Sequence, residues 1–388
     1  MDFQLTEEQQ ILQQSVRDFV ARYCPREEVR RWDDTGQFPP EIYERMAEQG
    51  YLGIAVDPEY GGSAGDIISQ TIILEELVRG IQASAVYFLN TSCFGAMSVG
   101  VYGTEEQKRF FLPALCEGKM RFAISITEPG GGTDVLGHMK TFARKTDEGW
   151  VVNGVKMFTT AAAWADYILL VTRSKRPDEL TKKSDGVTVF LFPAKSEGVS
   201  MRPIATMGHR TIHTYEVVYD NVRIAERYVL GEPHQGWKLL LHTLNNERIL
   251  TAAYGLGSAQ AALDDAIAHA KVREAFGKPI GAFQAIAHHI ANMAMAIEQA
   301  RLLTYQAAWL QSVGKPCGLE ATMAKCAATE AASMCSDLGM QILGGTGMSM
   351  EADMQRYWRD SRVMRIGPVS NEMARNFIAM ELGLPRSY

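Results

Sequence analysis

The sequence predicts an α+β protein made of an N-terminal helical domain, a small middle β domain and a C-terminal four-helix-type bundle. Three observations carry that prediction. The first third places apolar residues at helical spacing. From Arg121 the pattern changes to short β-branched and aromatic runs split by Gly, Asn, Asp and Lys clusters. From Trp237 the chain returns to long segments rich in Ala, Leu, Met and Gln. Helices, then strands, then helices imply segregated layers rather than alternating βαβ units. A chain of 388 residues also exceeds one typical core, so two or three compact units are expected. The boundaries read as residues 1–120, 121–233 and 234–388.

Each element has its own signal. Thr6-Glu7-Glu8-Gln9 has the form of a capping box, and Ile11, Leu12, Val16, Phe19 and Val20 follow at helical spacing. A second helix from Glu41 is stopped by Gly50 and Gly53, and residues 58–62 (PEYGG) read as a turn. Residues 67–86 and 104–116 are further helices. Val151-Val152 and residues 167–171, 187–192 and 214–219 read as strands, and Gly231-Glu232-Pro233 closes the β region. The last third reads as helices over 237–272, 283–313 and 319–343, with Gly314-Lys315-Pro316 as a break.

Composition narrows the function. Hydrophobic residues at 46% and charged residues at 22% describe a globular chain. A net charge of -6 with no long basic run argues against a nucleic-acid partner. No apolar stretch reaches the length of a membrane span, and the N-terminus lacks a charged-then-apolar leader. The six cysteines are scattered without a C-x-x-C pair, which fits free thiols in a reducing compartment. Residues 384–388 do not form a peroxisomal tripeptide. A cytoplasmic protein is expected. The eight histidines show no metal-ligand spacing, and no metal site is expected.

The most informative stretch is residues 123–160. It reads AISITEPGGGTD over 123–134 and NGVKMFTT over 153–160. Gly130, Gly131 and Gly132 let backbone N–H groups approach a phosphate or a flat ring closely. Thr127 and Thr133 place hydroxyls on either side of that bend. Phe158 and Thr160 alternate along a strand and so share a face. A ring beside a hydroxyl suits an aromatic cofactor: the ring stacks while the hydroxyl meets an edge heteroatom.

These residues resemble the flavin-binding middle domain of the acyl-CoA dehydrogenase family, whose usual wording is T-E-P-x-A-G-S-D followed by K-x-W-I-T. The similarity continues in order through 103–115 (GTEEQKRFFLPAL), 273–284 (REAFGKPIGAFQ), 341–347 (QILGGTG) and 356–362 (RYWRDSR). The resemblance implies that family's fold and an FAD lying between the β domain and the bundle. It implies flavin contacts from Ile126, Thr127, Gly132, Thr133, Phe158 and Thr160. Arg273, Phe276 and Gln284 match residues that reach the pyrophosphate and adenine. Gln341, Gly344 and Gly345 match a second adenine-side contact that crosses a subunit boundary, and Ser370 and Glu372 match a T-x-[EQ] that touches the nucleotide. Phe158 stands where tryptophan is usual, and Thr133 replaces a serine.

Dehydrogenation needs a base for the α-proton, and a carboxylate in a closed apolar site is suited to it. In many family members that base is the glutamate of I-[YG]-E-G-T-x-[EQ]. Here the matching residues are Ile366-Gly367-Pro368-Val369-Ser370-Asn371-Glu372, with proline at the glutamate position. A second subset, including the isovaleryl and long-chain enzymes, carries the base on a bundle helix before a signature arginine. This chain has Asn245-Asn246-Glu247-Arg248 there, so the resemblance implies Glu247 as base. It also implies substrate contacts from Thr133, Asn245, Arg248 and Gly367. In the family the backbone N–H at the position of Pro368 hydrogen-bonds the thioester carbonyl, and proline has none.

The expected activity is oxidation of an acyl-CoA to its 2-enoyl-CoA, with an electron-transferring flavoprotein as oxidant and a homotetramer (a dimer of dimers) as assembly. Pro368 keeps open another reaction on the same scaffold: acyl-CoA elimination or desulfination, or oxygen-using flavin chemistry. A non-catalytic partner subunit is the remaining alternative.

Overall fold

The computed structural model describes residues 4–386; Ser387 and Tyr388, part of the C-terminal segment considered above, lie outside them. Helix Glu7–Tyr23 starts at the expected capping box, in which Thr6 Oγ1 accepts from the Gln9 N–H at 3.3 Å and Gln9 Oε1 accepts from the Thr6 N–H at 3.1 Å. Helix Arg26–Thr35, which the sequence reading passed over, comes next. Seven of its ten residues are charged, so the buried Val29 and Trp32 leave little periodic signal. Helix Pro40–Glu48 is therefore the third, not the second.

The expected helix over 67–86 is interrupted. Ile67–Ile81 is regular, and Gln82 then adopts φ 45°. The chain continues through a 3₁₀ turn Gln82–Ala85, helix Val86–Asn90, a π-helical turn Thr91–Met97 and helix Ser98–Tyr102. All of residues 82–96 are buried, which removes the polar face that a periodicity argument needs. Helix Glu105–Cys116 opens with a second capping box at Thr104 and Gln107.

The middle region is one eight-stranded sheet. Its strands are β1 (Phe122–Ser125), β2 (Phe142–Thr146), β3 (Gly149–Thr160), β4 (Tyr167–Arg173), β5 (Val187–Pro193), β6 (Val199–Ile204), β7 (Thr214–Ile224) and β8 (Val229–Leu230). They run in the order β6-β7-β3-β2-β4-β5-β8, and β1 pairs parallel with β4. β2, β6 and β8 carry no strong apolar run, and the sequence did not mark them. β3 pairs antiparallel with β7 and its register shifts between Lys156 and Thr159. That bulge bears on the candidate site.

Beyond the sheet, helices Gly236–Val272, Gln284–Ser312 and Gly318–Leu343 pack on one another, and Ile67–Ile81 lies against the first. Close approach is possible because Gly255 and Gly257 lack side chains. A Cβ on Gly255 would stand 2.6 Å from the Ala328 carbonyl oxygen, and one on Gly257 2.3 Å from that of Glu75. Ion pairs tie the N-terminal helices to the bundle: Arg26 to Asp265 at 2.5 Å, Arg79 to Asp264 at 2.5 Å and Arg301 to Glu75 at 3.1 Å. Among the described residues no helix is long and apolar enough to cross a membrane.

Candidate active site

Two clusters of sequence-predicted residues form around shared structural supports. The first lies where β1 runs into the glycine turn beside β3. The Met157 N–H donates to the Thr127 carbonyl at 2.7 Å. Beneath this contact Lys156, fully buried, donates from Nζ to the Ile126 carbonyl and to Glu128 Oε1, each at 2.8 Å. Glu128 also accepts from the backbone N–H groups of Lys140 (2.7 Å) and Thr141 (2.9 Å). Both ends of the 126–141 loop are thereby fixed to one strand. Burial depresses the Lys156 ammonium to about 8, while Glu128 opposes the fall.

The bulge in β3 refines the alternation argument for Phe158 and Thr160. Lys156 and Thr159, three residues apart, both point inward, and Thr159 Oγ1 meets Ser125 Oγ at 2.9 Å. Phe158 absorbs the extra residue with φ 57° and leaves its ring 59% exposed. Thr160 is half-buried, its hydroxyl 3.3 Å from Thr214 Oγ1. Ile126 and Thr127 are half-buried, and Gly132 and Thr133 are exposed. No atom lies within 4 Å of where a side chain on Gly130 or Gly132 would begin. A large exposed ring beside an open glycine turn fits a flat aromatic group such as a flavin.

The second cluster surrounds Glu247, on helix Gly236–Val272. Arg248 Nη1 donates to Asn245 Oδ1 at 3.3 Å, and its guanidinium lies 5.5 Å from the centre of the Phe377 ring. Asn246 is buried with its side-chain oxygen unpartnered. Glu247 is half-buried. Loss of water pushes its carboxyl up to about 7, and the positive charges of Arg248 and Lys325 restrain the rise. A carboxylate that exchanges its proton near neutrality, inside a protein wall, is suited to take a proton from carbon.

Gly367 and Ser370 lie on the turn between residues 366 and 371. Ser370 caps helix Asn371–Glu381, its Oγ accepting from the Met373 N–H at 3.2 Å. Backbone N–H donation at the same helix start holds the exposed Glu372 carboxyl below its usual range. Pro368 itself is exposed.

The remaining predicted residues stand elsewhere on the bundle. Arg273 follows helix Gly236–Val272 directly, so it is about 39 Å along the helix axis from Glu247 at 1.5 Å per residue. It leads into a short hairpin, Glu274–Ala275 with Lys278–Pro279, whose tip exposes Phe276 at 96%. Gln284, also exposed, begins the next helix. Gln341, Gly344 and Gly345 are exposed where helix Gly318–Leu343 ends. One chain therefore does not gather the Arg273 hairpin and Glu247 into one pocket.

Sequence reasoning missed Lys325, Asn371 and Cys93. Lys325 and Asn371 join the turn to helix Gly318–Leu343, and the buried Cys93 thiol feels the Glu247 charge. One signal was present: Lys325 is a lone cation in an alanine-rich segment of residues 321–332 that carries few other polar side chains.

Three acyl-CoA dehydrogenase domain models match the chain in order: the N-terminal domain over residues 6–119, the middle domain over 123–222 and the C-terminal domain over 234–383. The chain is 36% identical over 387 residues to the probable acyl-CoA dehydrogenase YngJ of Bacillus subtilis (strain 168), covering 98% of this chain and 100% of that protein. It is 35% identical over 362 residues to the caffeyl-CoA reductase-Etf complex subunit CarC of Acetobacterium woodii, covering 93% and 94% of the two chains. The butyryl-CoA dehydrogenase structure from Megasphaera elsdenii matches with a TM-score of 0.93 at 34% identity, covering 98% of this chain and 100% of that one.

Proposed function

The chain belongs to the acyl-CoA dehydrogenase family, whose cofactor is FAD, and from that membership we propose that it oxidises an acyl-CoA to the 2-enoyl-CoA with Glu247 as the base. One observation carries the assignment. Glu247 is a half-buried carboxyl raised to about 7, while Pro368 leaves the alternative position without a carboxylate. As the α C–H bond breaks, Glu247 takes the proton, and the β C–H bond breaks with its electron pair leaving. FAD, when bound, supplies the two-electron acceptor for that β-hydrogen. Thr127, Thr133, Phe158 and Thr160, with Ile126 and Gly132, would hold its ring. Asn245, Arg248 and Gly367 line the acyl thioester's side.

The distance of Arg273 from Glu247 supports a cofactor site completed between subunits. In that arrangement Arg273, Phe276, Gln284, Gln341, Gly344 and Gly345 serve the nucleotide end of a neighbouring copy's FAD, in a homotetramer. Ser370 and Glu372 approach the nucleotide from the C-terminal turn. The name of the Acetobacterium relative, a reductase–Etf complex subunit, supports an electron-transferring flavoprotein as partner.

Anaerobic titration of the yellow holoenzyme with a panel of acyl-CoAs tests the reaction. At least one should bleach the flavin and yield the enoyl-CoA. A fully loaded enzyme that no acyl-CoA bleaches would end the dehydrogenase reading.

A further inference from the structure

Lys325 is only 1% exposed, and its two hydrogen-bond acceptors are neutral: the Val369 carbonyl at 2.6 Å and Asn371 Oδ1 at 2.8 Å. Asn371, fully buried, donates from Nδ2 to Thr329 Oγ1 at 3.1 Å and to Glu330 Oε1 at 3.2 Å. The turn that carries Gly367 and Pro368 is therefore clamped to helix Gly318–Leu343, which packs against the helix bearing Glu247. An ammonium buried among neutral acceptors costs desolvation free energy that a methionine would not. Packing alone does not account for it.

We propose that Lys325 is a positioning residue for the reaction: it fastens the 366–371 turn and, from a helix packed against the one that carries Glu247, brings a buried positive charge to the base's side of the bundle. The proposal rests on the dehydrogenase reading above. Four charged or titratable groups face this pair besides the two themselves. Arg248 adjoins Glu247 on its own helix, Cys93 approaches it from the π-helical turn, and Cys326 and Glu372 flank Lys325. Arg248, from among them, and Lys325 itself are the cations that favour the Glu247 carboxylate, so removing Lys325 must raise the pH at which Glu247 ionises.

The test compares Lys325→Met, Lys325→Gln and Lys325→Arg, each as FAD-loaded holoenzyme. In Lys325→Met, acyl-CoA-driven flavin reduction at pH 7 should slow about tenfold, because the base is less ionised and the turn is loosened. The pH midpoint of that rate should rise by about half a unit or more, and amide exchange over residues 367–373 should quicken. Lys325→Gln keeps a donor for the Val369 carbonyl, so it should raise the midpoint while leaving exchange near the parent level. Lys325→Arg should return the midpoint toward the parent. Infrared titration of the Glu247 carboxyl band, identified by its loss in Glu247→Gln, reads the same midpoint without substrate. It therefore reports on Lys325 even if no acyl-CoA bleaches the parent, an outcome that would count against the reaction and not against Lys325. A folded Lys325→Met with the parent's midpoint overturns the proposal, even if it is slower or less stable. If Lys325→Met does not fold, an unchanged midpoint in Lys325→Gln overturns it equally.

Discussion

On the proposed reading, the proton abstraction rests on one titrating group, Glu247. Replacing it with glutamine keeps shape and hydrogen-bonding but removes the proton acceptor. Glu247→Gln should bind acyl-CoA, stay yellow and lose about a thousandfold in the rate of flavin reduction, the scale of a lost general base. Stopped-flow bleaching measures this, and a variant as fast as the parent would make Glu247 a structural charge. The parent's rate should rise with pH through about 7 and level off above it, since only the carboxylate accepts a proton. Stability should move the other way. The folded-state pKa lies above that of an unfolded glutamate, so the stability Glu247 contributes is complete in acid and is lost as pH rises through about 7. Glu247→Gln should accordingly show a smaller fall in Tm than the parent between pH 5 and pH 8.

At the scale of elements, the glycine turn is held by the Lys156–Glu128 pair. Lys156 reaches the Ile126 carbonyl and the Glu128 carboxylate, which in turn binds the backbone at Lys140 and Thr141. Lys156→Met leaves Glu128 buried without its cation and should cost on the order of 3 kcal/mol, as breaking a buried pair does. Calorimetry should show the lowered Tm, and gel filtration should show FAD lost from the folded protein. A variant that unfolds earlier but retains FAD at the parent's affinity would separate the loop's anchor from cofactor binding. Removing both partners, as in Lys156→Met with Glu128→Leu, should recover part of the stability but not the cofactor, because the loop ends are no longer tied.

At the scale of the whole molecule, exposed side chains gather where a neighbouring copy is proposed to sit. Phe276 is 96% exposed, Val272 77% and Met348 68%, all on or beside the segments assigned to the nucleotide. Light scattering should report a tetramer, or at least a dimer. FAD retention should fall on dilution as subunits separate if, as proposed, part of each site belongs to another chain. Arg273→Ala should weaken FAD binding by removing the proposed charge-assisted phosphate contact. A monomer with full FAD occupancy would contradict the shared site.

The sequence by itself determined the three-part order of helices, strands and helices, the capped helix start at Thr6, and the glycine turn followed by a bulky ring on the next strand. Each is a local signal, written in residues a few positions apart. Glu247 came forward only through the resemblance of Asn245-Asn246-Glu247-Arg248 to a family subset that carries its base there, with proline at the other family position, Pro368. Only the tertiary structure decided how these parts act. The interrupted path through residues 82–102 has no polar face to read, and the bulge at Phe158 depends on how β3 pairs with β7. Burial within the folded chain raises the Glu247 carboxyl to about 7, and Lys325 meets Val369 across 44 residues of chain. Burial and long-range charge arise from packing between distant segments, and no local pattern of residues encodes them.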